Sequence, residues 1–377
     1  MLESSLEILS WAAVLIWLGV LVQPWLPWLL RERFEAHPQR AADCDLSDTT
    51  VLIPARDEAD SIGDTLAALA RQGHGLSVIL VDDNSTDGTA AAARASGLSN
   101  LMILSGDALP EGWTGKLWAL EQARRHVVTS RVVLLDADIH IAPGTIAGLR
   151  DKAIAEDRQL VSLMARLRMQ SLAEKLLIPA FIYFFKLLYP FALSNAGSRF
   201  VAASAGGCVL LETRMLDAIG GFGSLADAVI DDCTLARRVR DHGGRTWVGV
   251  THAATSLRGY DDVAGIHAMV ARSAYSQLRY SPWLLGGCTL AMGLMFWVPP
   301  LALVAGTGLA DSLGAIAWVL MAVSYLPTLL YYRRTGAWAL AMPLIGTCYL
   351  LMTWSSALRY RRGLRTAWRG RDYRRVP

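Results

Sequence analysis

The stretch SVILVDDNSTDGT, Ser77–Thr89, decides the architecture. An apolar run rich in valine and isoleucine stops at two adjacent carboxylates and a turn-forming Asn-Ser-Thr-Asp-Gly, as a buried strand does when it leaves a sheet. Working outward, Thr50–Pro54, Asn100–Leu104, Val132–Asp136 and Leu160–Met164 read as strands of the same kind. Asp60–Arg71, Asp87–Ala95, Lys116–Val127 and Pro143–Ala155 read as the helices between them. Short strands alternating with helices predict an α/β domain with a mostly parallel sheet. Ligands of such sheets sit beyond the carboxyl ends of the strands.

Those ends are acidic. The first predicted strand runs into Ala55, Arg56, Asp57 and Glu58, the second into Asp82, Asp83 and Asp87, and the fourth ends at Asp136 and Asp138. A helix N-cap accounts for Asp60 and Asp87. It does not account for the others as a group, because like charges this close repel unless a cation or hydrogen-bonding ligand compensates them. A divalent ion with oxygen ligands, bridging to a substrate diphosphate, resolves the repulsion. Lys116, after Trp113, Thr114 and Gly115, opens a helix whose N-terminus also suits a diphosphate, with a solvated helix-start lysine as the plain alternative. Five dispersed cysteines, Cys44, Cys208, Cys233, Cys288 and Cys348, show no zinc spacing and read as reduced structural thiols. No Walker loop, GxGxxG turn or Ser-His-Asp arrangement is present, which leaves kinase, dehydrogenase and hydrolase readings without support.

These residues resemble family 2 glycosyltransferases, inverting enzymes of GT-A fold. The matching pieces are VLIPARDE (Val51–Glu58), VDDNSTDGT (Val81–Thr89), GKLWALEQA (Gly115–Ala123), the Asp136–Asp138 DxD, GGCVLLETRMLDAIGGF (Gly206–Phe222) and the pair Asp231-Asp232. The GWTGKLWAL stretch and the membrane layout are most similar to the hopene-associated bacterial glycosyltransferases, and more distantly to ceramide glucosyltransferases. The resemblance implies a nucleotide-sugar donor, with Pro54, Ala55, Glu58 and Asp82 around the nucleotide and Asp83 accepting from the base, as a uracil imide would donate. Asp138 would hold Mg²⁺ or Mn²⁺, and Asp136 the ribose or a metal-bound water. Asp232 would be the general base and Asp231 its partner, an N-cap being the alternative for Asp231. Gly206, Gly207 and Trp113 would mark the acceptor region. Glu121 departs from the asparagine usual at this helix. Arg279 falls near a Q/R-x-x-R-W signature that is imperfect here, since Ser276 and Tyr280 replace two of its members, so it reads as a diphosphate ligand or a membrane-edge arginine.

Hydrophobic residues make up 53% of the 377 and charged residues 18%, and the apolar ones fall in blocks. Leu9–Leu30 predicts a transmembrane anchor, placed in a segment of residues 1–31; a signal peptide is disfavoured by Glu3 and Glu7 ahead of it. A glycosyltransferase domain is expected over 45–282, with an interfacial helix at 171–193 carrying Glu174, Lys175 and Lys186. Membrane segments are expected over 283–358, in the blocks Trp283–Ala310, Leu313–Tyr332 and Trp338–Leu358. An arginine-rich tail, 359–377, follows. Arg31, Arg33 and Arg40 after the first span put the catalytic domain in the cytoplasm of a multi-pass protein of a bacterial-type inner membrane. The tail's Arg359, Arg361, Arg362, Arg365, Arg369, Arg371, Arg374 and Arg375 also belong inside, yet three full crossings would carry them out. One block is therefore expected to be re-entrant or interfacial: the one broken by Pro299 and Pro300, or the last, which contains Pro343. A net charge of +3 and basic residues beside the membrane favour anionic lipid over nucleic acid as a partner. The rival readings are a processive polysaccharide synthase and a non-catalytic nucleotide-sugar or lipid-binding scaffold.

Overall fold

The structure, a computed structural model, describes residues 2–41, 43–368 and 371–374. Arg369 and Arg375 of the basic tail lie outside the described residues. The chain divides into two compact units: an α/β unit of residues 32–168 and 193–259 with the terminal stretch from 367, and a helical unit of residues 1–31, 169–192 and 260–366.

The α/β unit is built on a nine-stranded sheet: β1 (Arg33–Phe34), β2 (Thr49–Ala55), β3 (Ser77–Asp82), β4 (Leu101–Ser105), β5 (Arg131–Leu135), β6 (Ile139–Ile141), β7 (Leu160–Arg166), β8 (Cys208–Glu212) and β9 (Thr246–Ser256). Their order is β1-β9-β7-β8-β5-β2-β3-β4, with β6 paired to β9. β2 lies parallel between β3 and β5, while β8 is inserted antiparallel between β5 and β7. Side chains alternate faces along a strand. On β2, Val51, Ile53 and Ala55 enter one core with Ile62, Leu66 and Leu69 of the Ala59–Leu69 helix, and Leu52 enters the other with Leu117 and Leu120 of the Gly115–Arg124 helix. Each fully buried aliphatic side chain contributes about 1.5–3 kcal/mol, so the central strands are anchored from both faces.

β8 and β9 were not anticipated as strands. β9, with eleven residues, is among the longest in the sheet, but Gly249, Thr251, His252 and two alanines interrupt its apolar pattern. Gly249 is required there, because a Cβ would lie 2.2 Å from the ring of Trp247.

In the helical unit, four helices are long and apolar enough to cross a membrane: Ser4–Val22, Pro282–Ala305, Leu309–Tyr331 and Gly336–Arg361. The first sits further toward the N-terminus than Leu9–Leu30. It ends at Val22 because Pro24 and Pro27 cannot continue it. The second carries a π-helical turn, Gly293–Trp297, just before Pro299 and Pro300, which relieves the hydrogen bonds those prolines cannot donate. The expected 171–193 helix is two pieces, Leu172–Leu188 and Phe191–Asn195, separated by Pro190. Two of its charges, Glu174 and Lys186, are buried and hydrogen-bonded. Glu174 closes a capping box with Ser171 and accepts from Tyr260 N at 2.7 Å, and Lys186 donates to Leu29 O at 2.8 Å.

Candidate active site

Two strand-end loops are tied together by their own polar groups. After β2, Arg56 donates to Asp83 O at 2.5 Å, Asp57 N to Ser85 Oγ at 3.0 Å and Glu58 N to Thr89 Oγ1 at 2.8 Å. In return Thr86 N donates to Asp57 Oδ1 at 2.8 Å. Asp57 and Asn84 take left-handed φ values of 50° and 55°, a conformation Asp and Asn tolerate. Asp87 bridges the loops, accepting from Ala59 N at 2.9 Å and Thr89 N at 3.0 Å. The expected N-caps are therefore displaced: Gly88 caps Thr89–Ala95, and Asp60 lies inside the first turn of a helix whose N-cap is Glu58.

Pro54 and Ala55 are buried at the end of β2, in register with Val81 and Asp82. Asp82 Oδ1 accepts from Ser85 N at 3.1 Å. Asp83 is 2% exposed, with Oδ2 3.9 Å from Arg56 Nη1. Gly106 backs this turn, where a Cβ would come within 3.1 Å of Asp82 O and Asp83 Cα.

A second group gathers around Lys116. From the first turn of Gly115–Arg124 its Nζ lies 2.7 Å from Asp136 Oδ1, just past β5, and 3.6 Å from Asp231 Oδ2, in the first turn of Asp231–Asp241. Burial alone would depress the lysine, but Asp136 and Asp231 outweigh it and hold the ammonium above the usual lysine range. Burial raises Asp136, against the pull of Lys116. Asp232 Oδ2 accepts from Gly206 N at 3.0 Å and Oδ1 from Cys233 N at 2.7 Å. Burial, then the charge of Asp231, pushes Asp232 up to about 7, against the backbone bond from Cys233 and the charge of Lys116. The helix N-cap is Ile230, with no side-chain bond, so Asp231 faces the lysine instead of capping.

Gly206 faces this group: a Cβ there would stand 3.3 Å from Lys116 Nζ and 3.6 Å from Asp232 Cβ. Gly207 faces the core beside Ile139, and its carbonyl accepts from Asp136 N at 3.2 Å. Trp113 packs edge-on against Trp118 and next to Gly223. Arg279 belongs to the helical unit, where it and Tyr280 take left-handed φ values after the Ala274–Gln277 helix.

Sequence reasoning missed Arg258, which follows β9. Its Nε lies 2.9 Å from Asp138 Oδ2 and its Nη2 3.0 Å from Glu58 Oε1. Burial, then the charge of Asp138, raises Glu58 to about 7, and Arg258 opposes both. A lone arginine after an irregular strand gives no sequence signal of this role. Also missed was the purpose of Glu121, which forks onto Arg124 and accepts from Phe222 N at 3.0 Å, fixing the Gly220-Gly221-Phe222 turn.

Among the described residues no group of three or more His, Cys, Asp or Glu side chains gathers as a complete metal-ligand set. Asp136 and Asp138 supply two hard carboxylates on one turn. This donor set fits a Mg²⁺ or Mn²⁺ ion that takes its remaining ligands from a substrate diphosphate and water.

Acidic clusters and a half-buried lysine at the carboxyl ends of a mostly parallel sheet define the class, an α/β domain of GT-A fold. Residues 47–264 match the family described as glycosyltransferase like family 2, and the chain belongs to it. Its fold is similar to that of the mannosyltransferase PcManGT of Pyrobaculum calidifontis, solved in complex with GDP-Man and Mn²⁺. That likeness has a TM-score of 0.55 and 23% identity, and covers 94% of this chain and 98% of that one. A curated relative, the 4,4'-diaponeurosporenoate glycosyltransferase of Staphylococcus aureus, is 37% identical over 90 residues, 24% of each chain. The match thus spans about a quarter of that relative's length.

Proposed function

We propose that this chain is an inverting glycosyltransferase that moves a hexose from a nucleotide diphosphate donor, UDP-linked, to the hydroxyl of a membrane lipid at the cytoplasmic face of a bacterial-type inner membrane. The observation that carries the reading is the Lys116–Asp136–Asp231–Asp232 group, a half-buried cation and a proton acceptor held at one set of strand ends. In the proposed displacement, a bond forms between the acceptor oxygen and the anomeric carbon while the bond to the diphosphate oxygen breaks. The acceptor proton passes to Asp232, and the diphosphate leaves with the bonding pair toward the ammonium of Lys116. Both Asp232 oxygens already accept one backbone bond, and each keeps lone-pair capacity for the incoming proton. Asp138 and Asp136 would hold Mg²⁺ or Mn²⁺, which supplies charge neutralisation for the diphosphate. Asp83, with Pro54, Ala55, Glu58 and Asp82, would receive the nucleotide.

A lipid acceptor is supported by the four apolar helices and by the Staphylococcus relative, whose name gives a lipid-like acceptor. The resemblance to hopene-associated enzymes narrows this to a polycyclic lipid such as a hopanoid. The test incubates membranes containing the protein with radiolabelled UDP- and GDP-sugars, then extracts and identifies labelled lipid. One or a few sugars on an extractable lipid, absent with Asp232→Asn, is the expected result. A long polysaccharide would make it a processive synthase, and no transfer of any sugar would leave a binding scaffold.

A further inference from the structure

Arg258 stands where a cation governs access to Asp138. The backbone beside it is pinned, since Leu257 N donates to Asp138 O at 2.7 Å. Its guanidinium spans two strand ends, with Nε 2.9 Å from Asp138 Oδ2 and Nη2 3.0 Å from Glu58 Oε1. The two carboxylates are 13% and 11% exposed, so when both are ionised their charges repel through little water unless a cation compensates them. A planar guanidinium, with separated donors on one rigid fork, serves two such acceptors at once. A divalent ion bound at Asp138 would stand beside the guanidinium that engages Oδ2, and the two cations would repel. A diphosphate removes the conflict, because it is an acceptor to which a guanidinium can transfer.

We infer that Arg258 is the resident counter-cation of the donor site: it holds Asp138 and Glu58 while the site is empty, and yields Asp138 to the divalent ion only when a nucleoside diphosphate takes the guanidinium. This rests on the metal-dependent reading above. Its consequence is reciprocal coupling, in which nucleotide tightens metal binding and metal tightens nucleotide binding by the same factor. A plain ion pair between strand ends would instead contribute to stability alone.

The experiment measures free Mn²⁺ by electron paramagnetic resonance over the full detergent-solubilised chain, alone and with UDP or GDP. For the wild type, Mn²⁺ affinity should rise about tenfold or more when nucleotide is added. For Arg258→Gln, Mn²⁺ should bind the nucleotide-free protein about tenfold more tightly than it binds wild type, and the gain from nucleotide should shrink. If Arg258→Gln fails to fold, the wild-type comparison still decides: equal Mn²⁺ affinity with and without nucleotide overturns the inference. Coupled binding in the wild type together with unchanged nucleotide-free affinity in Arg258→Gln also overturns it, while leaving the metal reading intact. Absence of Mn²⁺ binding to either protein, with either nucleotide, overturns the metal reading and the inference together.

Discussion

Asp232 carries the chemistry of the proposed reaction because its surroundings tune it in opposite directions. Burial and Asp231 raise it to about 7, while the N–H groups of Cys233 and Gly206 and the charge of Lys116 favour its ionised form. A base must be ionised to take a proton, so kcat/KM should rise with pH up to about 7 and level off above. Glu58 is raised into the same range, and a variant separates the two. Removing the charge of Asp231 in Asp231→Asn lowers Asp232 and should shift the acidic limb to lower pH; a limb that stays put assigns it to Glu58. Asp232→Asn keeps the shape but cannot take the proton, so transfer should fall by ~10² to 10⁴ with donor affinity little changed, and Asp231→Asn should lose less. The reverse order, with donor binding intact in both, would make Asp231 the base. At Asp138, removal of the carboxylate in Asp138→Ala should abolish turnover and metal-dependent nucleotide binding while the thermal unfolding curve stays close to wild type. Near-normal metal-stimulated transfer by that variant would remove Asp138 from the metal site.

Among the elements, the legible ones are those whose side chains follow a single period. β2, β3 and β5 are short apolar runs with abrupt polar ends, and β3 spans Ser77–Asp82 as the sequence alone predicts. β9 was illegible because Gly249 makes room for Trp247, and β8 because its apolar residues read as part of a glycine-flanked motif. The acidic half of the candidate site could be read from strand ends, since carboxylates stand out there. Arg258 could not, because its two partners lie 200 and 120 positions earlier and only the closing of the sheet brings it to them. Glu121 shows the same limit: its partner Phe222 N–H sits 101 residues away. Breaking that contact in Glu121→Ala leaves a buried amide unsatisfied and should cost about 1–3 kcal/mol, seen as a lower Tm of the solubilised protein. An unchanged Tm would mean that the Gly220–Phe222 turn holds without it.

For the whole molecule, sidedness follows from where arginines fall among the apolar helices. Arg31 and Arg33 follow the first span, Arg333 and Arg334 follow Leu309–Tyr331, and Arg359, Arg361 and Arg362 end or follow Met342–Arg361. The positive-inside rule favours the cytoplasm for all three places, an expectation that three full crossings by the C-terminal helices would not meet. Contacts inside the helical unit show how the last helix packs. Just before one end of that helix, Arg334 donates to Met169 O at 3.5 Å. At the other end of the helix, Ser356 Oγ accepts from Tyr275 N at 3.1 Å, and Tyr360 stacks on Tyr280 at 4.2 Å, immediately before the N-cap Ser281 of the Pro282–Met292 helix. Between them, Trp297 donates to Thr347 and Trp354 to Thr289, so the last helix runs antiparallel to its neighbour while Leu344, Leu351 and Leu358 stay exposed. In a cysteine-free background, Thr335→Cys and Arg362→Cys should both react with a membrane-impermeant maleimide in inverted vesicles, and neither should react in intact cells. Labelling of Arg362→Cys from outside intact cells, with Thr335→Cys protected, would establish a full crossing and carry the basic tail out of the cytoplasm.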